Sequence, residues 1–188
     1  MATTTATIDE KTFRQMSLAD PDGQWELYDG HPRERPGMSA THGDTLEELV
    51  AALKRQLDRR EFRVRSQHAR LRVSPDTYYI PDVAVIPSGM VGPLLGNPRL
   101  LDAYPDPVPL VVEIWSPSTG EYDIRVKLLG YQQRGDLEIW RLNPYDRTLT
   151  AWRRQADGSY AESSYRGGIV HPQSLPGVAI DLDDICAE

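Results

Sequence analysis

Between residues 41 and 60 apolar side chains recur every three or four positions, with Leu46, Leu49, Val50, Leu53 and Leu57 on one stripe. That spacing predicts a helix, capped by Ser39 or Thr41, with Asp44, Glu47 and Glu48 suited to its positive N-terminal end. Strands are expected next over 62–73, 78–86 and 108–115, and a second helix over about 122–134. A strand at 137–143 leads through "NPYDRT" into "LTAWRRQ", and Asp157-Gly158 marks a further hairpin. Earlier, Trp25, Leu27 and Tyr28 predict a short strand that turns at Asp29-Gly30. The Pro- and Gly-rich stretch between 87 and 107 reads as a long surface loop, and "LPGVAIDLDDI" as a short strand with a final turn. Residues 1–20 are polar and read as an N-terminal arm with one helical turn, ahead of a single domain over 21–188. The order helix, three strands, helix, strand predicts an α/β (α+β) fold: a central mixed β-sheet flanked by helices, with additional hairpins.

Two of these strands carry a residue that the pattern does not explain. Strand side chains alternate between faces. Over 108–115, Leu110, Val112 and Ile114 share one face, while Val111, Glu113 and Trp115 share the other. Over 78–86, Asp82 falls on the face of Tyr78, Ile80, Ala84 and Ile86. An ionised carboxylate buried alone is costly, so each calls for a cation, a metal or a water-filled cleft. On neighbouring strands Asp82 and Glu113 would converge, and two acidic oxygen donors suit Mg²⁺ or Mn²⁺. Asp123, Lys127 and Tyr131 follow at i, i+4 and i+8 on one helix face, which brings the Lys127 ammonium toward the carboxylates. There it would orient an attacking water or stabilise charge building on a phosphate.

Each of these residues has a plainer reading as well. Asp82 after a proline suits a polar strand start, Glu113 a structural ion pair with an arginine, and Asp123 with Lys127 a routine helix pair. His42 suits a helix cap, and the four tryptophans suit sheet packing.

Composition narrows the field only a little. At 39% hydrophobic and 26% charged the chain is ordinarily globular, and no run approaches the length of a membrane span. With no basic region and apolar core at the N-terminus, and one cysteine, Cys186, the expected setting is cytoplasmic, with no membrane partner. The net charge of −7 does not advertise nucleic-acid binding. Yet residues 54–72 hold eight Lys and Arg against Asp58 and Glu61. This run, with Lys54, Arg55, Arg63 and Arg65, is either a solvated face or a patch that meets phosphates.

Taken in order, "WELYDG", His42 ahead of a helix, "IPDVAVI", "PLVVEIWSPSTGEYDIRVKLLGYQQRG", "EIWRLNPYDRTLTAW" and "LPGVAIDLDDI" resemble the Uma-two family of "putative restriction endonucleases". The resemblance runs from about residue 25 to 185. That family is similar to the PD-(D/E)xK nuclease superfamily, which are Mg²⁺-dependent phosphodiesterases. It implies a restriction-endonuclease-like core, DNA as the substrate, Asp82 and Glu113 as metal ligands, and Lys127 as the catalytic lysine. Glu26, His42 and Asp123 match positions that the family pattern retains and would support the site, as would Tyr131. Two features depart from the wider patterns. Trp115 stands where the superfamily keeps its lysine, so the lysine must come from the helix, and "GDLEIWRLNP" differs from the family's usual strand in positions that affect packing. Cutting both strands would suit a homodimer. Against the nuclease stand two rivals: a catalytically silent nuclease-like domain that binds nucleic acid or protein, and a buried ion-pair network with no ligand.

Overall fold

The computed structural model describes residues 6–117 and 123–187, with the backbone alone at 123 and 124. Helix α1 (Glu10–Ala19) comes first, then strands β1 (Trp25–Tyr28) and β2 (His31–Glu34), and the long helix α2 (Ala40–Gln56). Strands β3 (Phe62–Ser66), β4 (Arg70–Ser74), β5 (Thr77–Tyr79) and β6 (Val83–Pro87) follow. A one-turn helix α3 (Ser88–Val91), a 3₁₀ turn and the two-residue strand β7 (Ala103–Tyr104) occupy the stretch read as a loop, before the central strand β8 (Leu110–Ile114). A π-helical turn over Asp123–Lys127 runs into helix α4 (Leu128–Arg134). Strands β9 (Glu138–Asn143), β10 (Thr148–Arg154) and β11 (Tyr160–Arg166) form a meander, and β12 (Ile169–Val170), β13 (Ile180–Asp181) and helix α5 (Leu182–Ile185) close the fold.

The strands assort into two main sheets and a small ribbon, where the pattern led us to expect one central sheet with hairpins. The six-stranded sheet has the order β11-β10-β9-β8-β6-β3, and it is mixed: β8 runs parallel to β9 and antiparallel to β6. The five-stranded sheet has the order β2-β1-β5-β4-β7. Two expected strands therefore break and change sheet. The run at 62–73 divides at Gln67, whose φ of 57° lies in the left-handed region that few non-glycine residues adopt. The run at 78–86 divides at Pro81, which has no N–H to give a ladder. Both breaks fall beside Asp82, and the Gln67 N–H donates to the Asp82 backbone carbonyl at 3.1 Å.

Packing follows the sheet faces. Leu46, Leu49 and Leu53 of α2 pack on Val83, Val85, Leu110, Val112 and Ile114, with Leu182 and Ile185 of α5 completing that core. The opposite face, with Ala84, Ile86, Val111 and Ile139, packs against Tyr131 of α4 and against Leu71 and Tyr79 of the second sheet. Glu113 lies on this second face, between the two sheets. The polar N-terminal stretch folds further than expected. Asp9 caps α1 by accepting the Thr12 N–H, Phe13 is buried with Leu27 and Tyr78, and Glu10 pairs with Arg72 and Tyr78. Phe13, with Ile8 and Met16 packed beside it, docks a helix that is otherwise polar, which is why hydrophobic density alone understated this segment.

Candidate active site

Four segments meet between the sheets: β1 with Glu26, the Ile80–Pro81–Asp82 break, β8 with Glu113, and the start of α4 with Lys127 and Tyr131. Pairing of β6 with β8, Val83 opposite Val112, carries Asp82 next to the end of β8. The Ile114 N–H donates to Asp82 Oδ2 at 2.7 Å. The π-helical turn, a wider turn often found at functional sites, ends on Lys127 and sets it over β8. Gly130 brings this helix close, since a Cβ there would lie 2.5 Å from Tyr79 Cε2.

Lys127 Nζ is the hub of one half. It contacts Glu26 Oε1 at 2.8 Å and Glu113 Oε1 at 3.2 Å, and donates to the Ile80 carbonyl at 3.3 Å. The Tyr131 hydroxyl donates to the same Glu113 oxygen at 2.6 Å, and Glu26 Oε1 also accepts the Ile80 N–H at 2.8 Å. Asp82 is the hub of the other half. Its Oδ2 receives Ile114 N–H and His42 Nε2 at 3.2 Å, and its Oδ1 receives Arg35 Nη2 at 2.8 Å and Gln67 Nε2 at 3.4 Å. A carboxylate only accepts, so His42 carries its hydrogen on Nε2 in this contact. Burial works to raise the Asp82 pKa, but the His42 hydrogen bond and the Arg35 charge outweigh it and hold the carboxyl well below the usual range. Burial likewise opposes the Arg35 charge, and Asp82, Glu113 and Glu26 together more than reverse that effect.

The site is closed. Asp82, Glu113 and Lys127 are 1%, 4% and 2% exposed, so of the settings expected for Glu113 a water-filled cleft is not the one found. The reason is that the two sheets and α4 cover β8 on that face and protein donors take the place of water. Glu26, His42 and Tyr131 join the cluster directly, each bonded to one of its members. The side chain of Asp123 lies outside the described residues. Among the described residues no three His, Cys, Asp or Glu side chains are gathered to hold a metal.

Sequence reasoning missed Arg35 and Gln67. Arg35 follows β2 in "HPRERPG", where no periodicity marks one arginine among its neighbours. Gln67 reaches Asp82 through a backbone kink that its residue type does not announce. Of the basic run, Lys54, Arg63 and Arg65 line one cleft of about 380 Å³ with Arg59, Leu57, Phe62 and Val64. Arg55, exposed at the end of α2, is not among its lining residues. The cleft follows β3, the edge of the six-stranded sheet, whose far end reaches Gln67 and so the carboxylate site.

The chain is thus an α+β protein, a mixed sheet flanked by helices, with two carboxylates and a lysine buried beside its central strand. A family model described as "Putative restriction endonuclease", Uma2, matches residues 11–183, and the chain belongs to that family. Its fold is similar to the crystal structure of a "putative nuclease belonging to DUF820" from Anabaena variabilis ATCC 29413, with a TM-score of 0.71 at 17% identity. That similarity covers 87% of this chain and 89% of the other. Among curated proteins nothing matches. No helix of the described residues is long and apolar enough to cross a membrane.

Proposed function

We propose that the protein is a Mg²⁺- or Mn²⁺-dependent endonuclease that hydrolyses phosphodiester bonds of DNA at a site built from Asp82, Glu113 and Lys127. One observation carries the reading: three segments far apart in sequence bring these three residues together, in a chain of a nuclease-like family. The donor chemistry fits a hard divalent ion. Asp82 and Glu113, buried side by side where β6 pairs with β8, supply carboxylate oxygens of the kind such ions prefer, with the cations Arg35 and Lys127 beside them. Asp82 and Glu113 would hold the ion with the Ile114 backbone carbonyl, and waters would complete its shell, as suits Mg²⁺. Bound there, the ion supplies polarisation of the phosphate and a water of lowered pKa.

The chain's own residues do the rest. Glu26 and the Ile80 carbonyl fix the Lys127 ammonium beside Glu113, where it orients the attacking water and meets negative charge on the phosphate. Tyr131 keeps Glu113 in one rotamer through its hydroxyl, and His42 with the Ile114 N–H keeps Asp82 facing β8. The cleft along β3 would carry the DNA backbone, with Lys54, Arg63 and Arg65 on phosphates. In-line attack of water on phosphorus with the 3′-oxygen as leaving group would break the P–O3′ bond, leaving a 5′-phosphate and, once that oxygen takes a proton from solvent, a 3′-hydroxyl. Incubated with Mg²⁺, the protein is expected to cut DNA into ligatable 5′-phosphate ends and to stop in chelator. Cutting that survives chelation, or that is confined to RNA, would overturn the reading.

The burial of all three residues favours a second reading, a catalytically silent domain that binds nucleic acid or another protein. DNA binding that is sensitive to salt, with no cutting in either Mg²⁺ or Mn²⁺, separates it from the first.

A further inference from the structure

Asp82 has four donors, and they are not equivalent. Oδ2 is tied to elements that form the core: the Ile114 N–H of the central strand, and His42 in the first turn of α2. Oδ1 is held by Arg35 and, at a long 3.4 Å, by Gln67. A carboxylate offers about four acceptor directions, so these donors leave none open to a metal. A divalent ion can reach Asp82 only by replacing one of them. Three of the four are poor candidates. The Ile114 N–H is a backbone group of a buried strand, His42 is buried within α2, and Gln67 contributes too little to be the barrier.

Arg35 differs on each count. It lies just beyond β2 in the segment Arg35-Pro36-Gly37-Met38, which joins β2 to the cap of α2 at Ser39. Pro36, Gly37 and Met38 are exposed, and nothing lies within 4 Å of the position a Gly37 Cβ would take. The backbone of Arg35 is tied down just ahead of β1 by its N–H, which donates to the Gln24 carbonyl at 3.1 Å, so the side chain can leave while the backbone stays. The guanidinium is itself incompletely bonded: its side chain is 10% exposed, yet Nη1 is buried with no hydrogen-bond partner. A buried donor without a partner is destabilising, which partly offsets what the ion pair gains. The guanidinium feels the charges of Asp82, Glu113 and Glu26 together, and these would attract a divalent ion as well, so the two cations compete for one field.

We propose that Arg35 is a resident counter-cation that occupies the Asp82 side of the metal site, and that a divalent ion binds by displacing its guanidinium from Asp82 Oδ1. Asp82 then keeps its place through Ile114, His42 and Gln67 while one acceptor direction on Oδ1 opens. Arg35 thereby sets the metal affinity of the site. Replacing one charge by two near three carboxylates gives the exchange its driving force, and the lost ion pair opposes it. This inference rests on the metal-dependent reading above.

Calorimetric titration of the full chain with MnCl₂ tests it, using the wild type, Arg35→Ala, Arg35→Gln, Arg35→Lys and Asp82→Asn. Arg35→Ala is expected to bind Mn²⁺ at least tenfold more tightly than the wild type. Arg35→Gln keeps a donor for Asp82 and protects the fold should the alanine variant be unstable, and it is expected to tighten binding similarly. Arg35→Lys, which keeps the charge, should stay within threefold of the wild type. An affinity of folded Arg35→Gln equal to or weaker than the wild type, with binding lost in Asp82→Asn, overturns the role of Arg35 and leaves the metal site standing. Equal binding by Asp82→Asn and the wild type, or none by any of the proteins, removes the metal site and the Arg35 proposal with it.

Discussion

Lys127 is almost fully buried, and its two carboxylate partners, Glu26 and Glu113, are buried with it. Removing one member of such a cluster leaves the others charged and unpaired, which typically costs about 3–5 kcal/mol. Lys127→Met is therefore expected to lower unfolding free energy in urea by that amount, whether or not the site is catalytic. A loss below about 1 kcal/mol would mean that the ammonium is not paired as described. The consequence for interpretation is direct: loss of activity in this variant does not by itself identify a catalytic lysine. Glu113→Gln is the more informative substitution, since the amide oxygen still accepts from Lys127 and Tyr131 while the charge is gone. At this scale the sequence was most legible where chemistry contradicted its setting. Asp82 and Glu113 stood out as charges among apolar neighbours, and Lys127 by helical spacing from Tyr131. Arg35 did not stand out, because a surface-like run of charges conceals which member turns inward.

Among the elements, helix α4 decides whether lysine and carboxylate meet. Its approach depends on Gly130, beside which the Tyr79 ring sits, itself edge-on to Tyr131 at 5.7 Å. Gly130→Ala forces a methyl into that ring. Overpacking of this kind costs about 1–3 kcal/mol, and the expected result is a lower urea midpoint together with weaker divalent-ion binding as Lys127 and Tyr131 shift. An unchanged midpoint would show that the helix does not lie so close. The periodic elements were readable: α2, β8, the helix before residue 134 and the β9–β10–β11 meander all stand near their expected places. What periodicity could not supply was the division of two apparent strands between sheets. Pro81 was a visible signal for one break, and Gln67 gave none for the other. Those two breaks create the corner in which Asp82 sits, so the least legible part of the fold is also the part that forms the site.

For the molecule as a whole, the contrast is between a net charge of −7 and a cleft lined by Lys54, Arg59, Arg63 and Arg65. On the proposed reading, the net negative charge disfavours DNA over much of the surface, and the basic edge along β3 is where its backbone would bind. Each phosphate neutralised in duplex DNA adds about 0.9 to the slope of log affinity against log salt. Arg63→Gln with Arg65→Gln should therefore weaken DNA binding and reduce that slope by about 2, read by fluorescence anisotropy in chelator. Because Arg65 also lies 3.6 Å from Asp102, a smaller change from Arg65→Gln alone fits a cation already shared with the protein. An unchanged slope in the double variant would place the DNA elsewhere.

The nuclease reading is tested most directly by divalent-ion-dependent cutting of plasmid DNA, wild type against Glu113→Gln, with circular dichroism confirming that both are folded. The expected result is Mg²⁺- or Mn²⁺-dependent cutting by the wild type and none by Glu113→Gln. Cutting by folded Glu113→Gln at the wild-type rate would contradict it.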